Sequence, residues 1–130
     1  MTEDGFVCVI SRFPARETMD RFLAALASNN MTVFARIDHS ANATAAGMSL
    51  RPTELVVFGN PKGGTVLMQD QQRAGIDLPL KALVWEDADG KVWLGYNDPA
   101  WIARRHHLGN AAAVETMAKA LSAMAQKVTA

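Results

Sequence analysis

The sequence predicts an α+β fold: a largely antiparallel sheet of five strands in the order β-α-β-β-β-β-α, with long helices on one face and short helices inserted. Three observations carry this. Short runs rich in Val, Ile, Phe and Trp recur through the first hundred residues and read as strands. Two longer segments, around residues 15–27 and 114–128, repeat apolar residues every three or four positions, which is the helical period. Four of the five strand-like runs follow one another between the two long helices, a pattern of segregated elements rather than alternating ones.

Phe6-Val7-Cys8-Val9-Ile10 is the first strand. Phe13-Pro14 turns the chain into a helix whose Ala15, Met19, Phe22, Leu23, Leu26 and Ala27 form one apolar face. Asn29-Asn30 stops it, because Asn tolerates the left-handed conformation. The second strand is Thr32 to Asp38, with Val33, Ala35 and Ile37 on one face and Phe34, Arg36 and Asp38 on the other, a face expected to be wet or functional. The small residues from Ser40 to Ala46 suit a short helix capped by Asp38 or Ser40 and closed by Gly47. Leu55-Val56-Val57-Phe58 shows no alternation and reads as a strand buried on both faces. Gly59 ends it, Asn60 caps the next helix and Pro61 takes its first position.

Lys81 to Glu86 and Lys91 to Tyr96 are strands that flank the hairpin turn Asp87-Ala88-Asp89-Gly90. Asp98-Pro99 starts a helix carrying Trp101, Ile102 and the cluster Arg104-Arg105-His106-His107, with Gly109 closing it. Asn110 caps the last helix, whose Val114, Met117, Leu121, Met124 and Val128 form a narrow seam for packing against the sheet or against another subunit.

A chain of 130 residues with 49% hydrophobic and 20% charged content is expected to be one soluble domain spanning residues 1–130. Its formal net charge of zero argues against a nucleic-acid surface, and no apolar run is long enough to cross a bilayer. The single Cys8 excludes an internal disulfide and suits a cytoplasmic setting.

No motif fixes a reaction. The joint at residues 58–62 is the functional corner, since a helix N-terminus presents free N–H groups and a positive dipole end to anions. Lys62 stands in that first turn, where an acid would suit the dipole better; either it meets an anion or it is simply solvated. The glycines at 63 and 64 do not have the spacing of a phosphate loop. Glu54, at the head of an apolar strand, reads as an acid paired with Arg36 or Lys81, or as an exposed edge residue. Asp38 beside His39 could orient an imidazole, although neighbours on a strand point to opposite faces. His39, His106 and His107 do not fall at zinc-ligand spacing, and the seven methionines read as gap-fillers, so no metal or cofactor is expected.

Phe34-Ala35-Arg36-Ile37-Asp38-His39, Leu50-Arg51-Pro52-Thr53-Glu54-Leu55 and Phe58-Gly59-Asn60-Pro61-Lys62 closely resemble the family catalogued as domain of unknown function 302. Ile76-Asp77-Leu78-Pro79-Leu80, Val84-Trp85-Glu86-Asp87 and Tyr96-Asn97-Asp98-Pro99 continue the resemblance, over roughly residues 5–127. It implies a small α+β protein with a TATA-binding-protein-like layout and a homodimer, and assigns no activity.

Taken together, the residues point to a binding module for a small anionic or carboxylated ligand held by Arg36, His39, Asn60 and Lys62, and the resemblance implies that the module is a homodimer. The first alternative is a hydrolase or isomerase using His39 with Glu54 or Asp38. The second is a structural or partner-binding protein.

Overall fold

The structure, a computed structural model, describes residues 2–130, and of Thr2 and Glu3 the backbone only. The strands are β1 (Thr2–Glu3), β2 (Phe6–Ser11), β3 (Thr32–Asp38), β4 (Thr53–Gly59), β5 (Leu80–Glu86) and β6 (Val92–Asn97). The helices are α1 (Ala15–Ser28), α2 (His39–Ala45), α3 (Pro61–Asp70), α4 (Pro99–His106) and α5 (Ala111–Thr129), with a 3-10 turn at Gln72–Ile76. The fold is α+β, and every strand pairing is antiparallel. The order across the sheet is β1-β2-β6-β5-β4-β3, so the two-residue β1 extends the edge of the five expected strands.

The sheet has a covered face and an open one, and the register decides which residue lies on each. Val56 pairs with Ala82 and Ala82 with Tyr96, while Glu54 pairs with Val84 and Val84 with Leu94. With Phe58, Leu80 and Val92, these strand positions put their apolar side chains against Met19, Phe22 and Leu26 of α1 and Leu121, Met124 and Val128 of α5. Phe22 meets Phe58 edge-on, with ring centroids 5.3 Å apart, which fixes α1 over β4. Such a pair adds about 1 kcal/mol beyond burial. The seam of α5 is therefore spent inside the chain, against α1, α4 and β2.

Capping follows local chemistry, with two exceptions. Asn30 takes φ 55° and ends α1, and Asp38 Oδ1 accepts the Ala41 N–H at 2.9 Å to start α2. Asp98 Oδ1 accepts the Ala100 N–H at 2.9 Å to start α4. At the other end of α4 the left-handed residue is His107 (φ 56°), not Gly109. The Leu108 N–H then reaches back to the Ala103 carbonyl at 2.9 Å, closing the helix before the glycine is reached. Asn110 precedes α5 without a side-chain cap; only its carbonyl is used, by the Val114 N–H.

The expected alternation along β3 is also interrupted. Val33 pairs with Phe58 but Ala35 with Val57, so Phe34 is the extra residue of a bulge. Across it Val33 parts from Ala35 and Ile37: it pairs with Phe58 of the covered face, whereas Ala35 pairs with Val57 of the open one.

Candidate functional site

The joint between β4 and α3 opens onto a hollow of about 210 Å³. Its floor and walls come from four places in the chain. Phe34 enters from the bulge, Asn60, Pro61, Gly64, Thr65 and Met68 from one side of α3, Leu78-Pro79-Leu80 from the lead into β5, and Met117 from α5. Positions 61, 64, 65 and 68 share one side of a helix, which explains why these α3 residues line the hollow and Lys62 does not. Gly64 matters there: a Cβ added to it would find only Met68 Cε, at 4.0 Å, so the hollow reaches the helix backbone.

The lining is apolar, and this overturns capture of an anion by bare amides. Pro61 has no N–H. Asn60 Oδ1 accepts the N–H groups of Lys62 at 2.9 Å and Gly63 at 3.4 Å, and the Asn60 carbonyl accepts that of Gly64 at 3.0 Å. The first turn thus has no amide left to offer. The asparagine that makes the helix start also satisfies it. Thr65 likewise donates its hydroxyl to the Pro61 carbonyl at 2.7 Å.

The other expected site residues lie elsewhere. Arg36, Asp38 and Glu54 line a separate polar groove of about 550 Å³, together with Arg16, Asp20 and Glu86. Arg36 Nη2 sits 2.9 Å from Glu54 Oε2, so Glu54 is the paired acid, and its partner is Arg36 rather than Lys81. The pair is half exposed on the arginine side and contributes at most about 1 kcal/mol. Lys81 Nζ instead donates to the Pro79 carbonyl at 3.3 Å. His39 opens α2, exposed, and lines neither recess.

The ligand set Arg36, His39, Asn60 and Lys62 is therefore not assembled: of the four, only Asn60 reaches the hollow. Nor is the acid–base set. Among the described residues no hydrogen bond links His39 to Asp38 or Glu54. Asp38 Oδ1 is held by the Ala41 amide and the Ser40 hydroxyl, at 2.9 and 2.8 Å. These bonds, the amide first, hold the Asp38 carboxyl below its ordinary range, with a smaller pull from the charge of His39. Asp38 is a cap, and the chain turns into α2 immediately after it. Among the described residues no group of three or more His, Cys, Asp or Glu side chains could hold a metal ion.

One polar cluster was not legible beforehand. His106 is buried, and its Nε2 lies 2.6 Å from Asp77 Oδ2. Arg105 Nη1 donates to both Asp77 oxygens, at 3.1 and 2.9 Å. An ionised carboxylate only accepts, so Nε2 carries the proton, and the buried Nδ1 has no partner among the described residues. Nearby, the Gly109 N–H donates to Asp70 Oδ2 at 2.7 Å. These bonds clamp the end of α4 to α3 and to the residue just before Leu78-Pro79-Leu80. They fix one wall of the hollow without lining it. Asp77 stands within a recognisable string of residues, but nothing local pairs it with a histidine 29 positions away.

With the geometry in view, the chain can be set beside known proteins. A family model described as Domain of unknown function DUF302 matches residues 7–127. A crystal structure of an uncharacterized conserved DUF302 protein from Bacillus stearothermophilus superposes with a TM-score of 0.83, covering 95% of this chain and 98% of that one. At 18% identity it establishes the fold alone. Two curated relatives, both named Fluoride-specific ion channel FluC 1, are 56% identical over 107 residues. They come from Brucella suis biovar 1 (strain 1330) and Brucella abortus biovar 1 (strain 9-941). The match takes in 82% of this chain but only 42% and 40% of theirs, so the chain spans about two fifths of the length of these relatives. Among the described residues no helix is long and apolar enough to cross a membrane.

Proposed function

We propose a binding role for this chain, which belongs to the DUF302 family: a homodimeric module that takes a small, mainly apolar molecule into the hollow between β4 and α3. The observation that carries the reading is the lining. Phe34, Met68, Leu78, Leu80 and Met117 present carbon and sulfur, and the Asn60 side-chain oxygen and the Thr65 hydroxyl are engaged within their own helix. Size limits the ligand. The hollow, about 210 Å³, exceeds the ~150 Å³ apolar cavity that accepts benzene and falls short of the ~300 Å³ of a drug-sized site. A single aromatic ring or a short branched aliphatic chain fits. Burying roughly 200 Å² at ~25 cal/mol per Å² supplies about 5 kcal/mol before association costs. That sets affinity on the order of 0.1–1 mM at best.

The test is ligand-observed NMR with single-ring fragments at millimolar concentration, on the wild type and on Gly64→Leu, whose side chain would fill the hollow. Saturation transfer to at least one fragment, lost in the variant, is expected. Transfer that persists in Gly64→Leu, or none from any fragment, sinks the reading. The single Cys8 fits a reducing cytoplasmic setting for the module. Dimerisation is supported by the uncovered sheet face.

A second reading has its own support. The relatives named as fluoride-specific channels contain a segment 56% identical to this chain, and the chain itself has no membrane-crossing helix among its described residues. On this reading the unit accompanies a channel rather than conducts. Fluoride efflux from liposomes carrying such a relative, with and without its matched segment, tests it. Equal rates would leave the reading without support.

A further inference from the structure

We infer that the open face of the sheet is the surface on which a second copy of this chain docks, sheet against sheet about a two-fold axis. The inference rests on the dimeric reading above and adds the interface to it. The register places the residues. Ile10 pairs with Trp93 and Trp93 with Trp85, while Cys8 pairs with Gly95, Gly95 with Leu83 and Leu83 with Leu55. All lie on the face opposite the core packed beneath α1 and α5.

This face is apolar yet uncovered. Ile10 is 50% exposed and Ile37, beside Leu55, is 36% exposed, whereas Val56, Val84 and Leu94 on the covered face are 2% exposed or less. Phe6 and Trp85 stack at 5.9 Å and 23°, and Trp85 and Trp93 at 6.4 Å and 20°. Gly95 is what lets them lie down: a Cβ there would come within 2.5 Å of Phe6 Cζ and 3.0 Å of Trp85 Cζ3. The rings therefore lie flat against the backbone and form a level platform.

A second copy suits this platform for three reasons. Five strands about 4.8 Å apart, each with three face positions about 6.7 Å apart, span roughly 450 Å² in projection per copy. Two copies remove about twice that from water, near the ~1,000 Å² that a specific interface needs. The covered area alone does not name the partner, but the charge does. Among the open-face positions of β2 to β6, Lys81 is the only formally charged residue, and its ammonium is turned to the Pro79 carbonyl at the rim, while the Asp87 carboxylate beside the platform is engaged by Trp93 Nε1. A surface this poor in free charge offers a charged partner little to pair with and suits another like it, as an isologous contact requires. Finally, two sheets with the same right-handed twist pack face to face at about 30° without deformation.

The experiment is native mass spectrometry with light scattering on the whole chain at fixed concentration. It compares wild type, Ile10→Arg, Leu83→Arg and, as a control on the helical side, Ala24→Arg. Ile10 is half exposed, so its arginine leaves the fold intact, which circular dichroism verifies. The wild type and Ala24→Arg are expected to be dimers, with the dissociation constant raised at least 100-fold in Ile10→Arg and Leu83→Arg. If the wild type is dimeric and both face variants remain so, the interface is wrong and the dimer stands. A monomeric wild type at 100 μM overturns both.

Discussion

Gly64→Ala tests the hollow and the helix together. Glycine inside a helix costs about 0.8–1.0 kcal/mol relative to alanine, through the backbone freedom lost on folding. Gly64 lies within α3 and has no positive φ, so alanine adopts its conformation without strain. The new methyl would stand 4.0 Å from Met68 Cε, an ordinary contact. The expected gain is about 1 kcal/mol. With ~2.1 cal/mol/K per residue over 130 residues, the unfolding entropy is ~0.27 kcal/mol/K, so Tm should rise by about 4 °C. Two neighbours calibrate the claim. At Gly63 the same methyl would meet Met117 Cε at 3.3 Å, so part of the gain goes into moving that side chain. At Gly47 there is open space but φ is 76°, and alanine should lower stability by about 1 kcal/mol. Differential scanning calorimetry at one protein concentration ranks the three. A lower Tm for Gly64→Ala would mean that the space beside Gly64 is already filled, and the hollow would go with it.

Other substitutions probe the remaining contacts. Asn60→Ala removes the acceptor of two amides and should cost about 1 kcal/mol in denaturant unfolding, whereas Asn60→Asp should keep most of the cap. Asp77→Ala strands the buried imidazole of His106 and should cost about 2–3 kcal/mol, against less than ~1 for Arg105→Ala at the exposed end; equal costs would contradict the assignment of His106 as the principal partner. Gly95→Ala must lift Phe6 and Trp85 off the sheet, at about 1–3 kcal/mol, with a changed near-ultraviolet tryptophan signal; an unaltered signal would refute the stacked ladder. The Asp87 carboxyl lies below its ordinary range because it accepts from Trp93 Nε1 and then from the Lys91 amide. A depressed acid stabilises the fold above its unfolded pKa, about 4, and loses that contribution as pH falls through the lower folded value. Tm should thus fall more steeply below pH 4 in the wild type than in Asp87→Asn, as a thermal series from pH 6 to pH 2 would register.

What the sequence determined by itself is the set of features that depend on neighbours within about four residues. Asn60-Pro61 and Asp98-Pro99 start helices because a side-chain acceptor and a proline are correct at those two positions whatever lies elsewhere. Asn30 and Gly90 take positive φ for equally local reasons. The apolar faces of α1 and α5 and the five long strands were legible from periodicity in the same way. Tertiary structure decided the rest. It set β2 beside β6, left one sheet face bare, and built the hollow from Phe34, Met68, Leu78 and Met117, residues that no window of sequence contains together. It brought Asp77 to His106, and it sent Arg36 and Glu54 to a different recess from Asn60. The physical reason is common to these outcomes. A cap or a turn is chosen by hydrogen bonds that one segment can make alone, while the company a side chain keeps is chosen by which apolar faces can be buried at once, and that is a property of the whole chain.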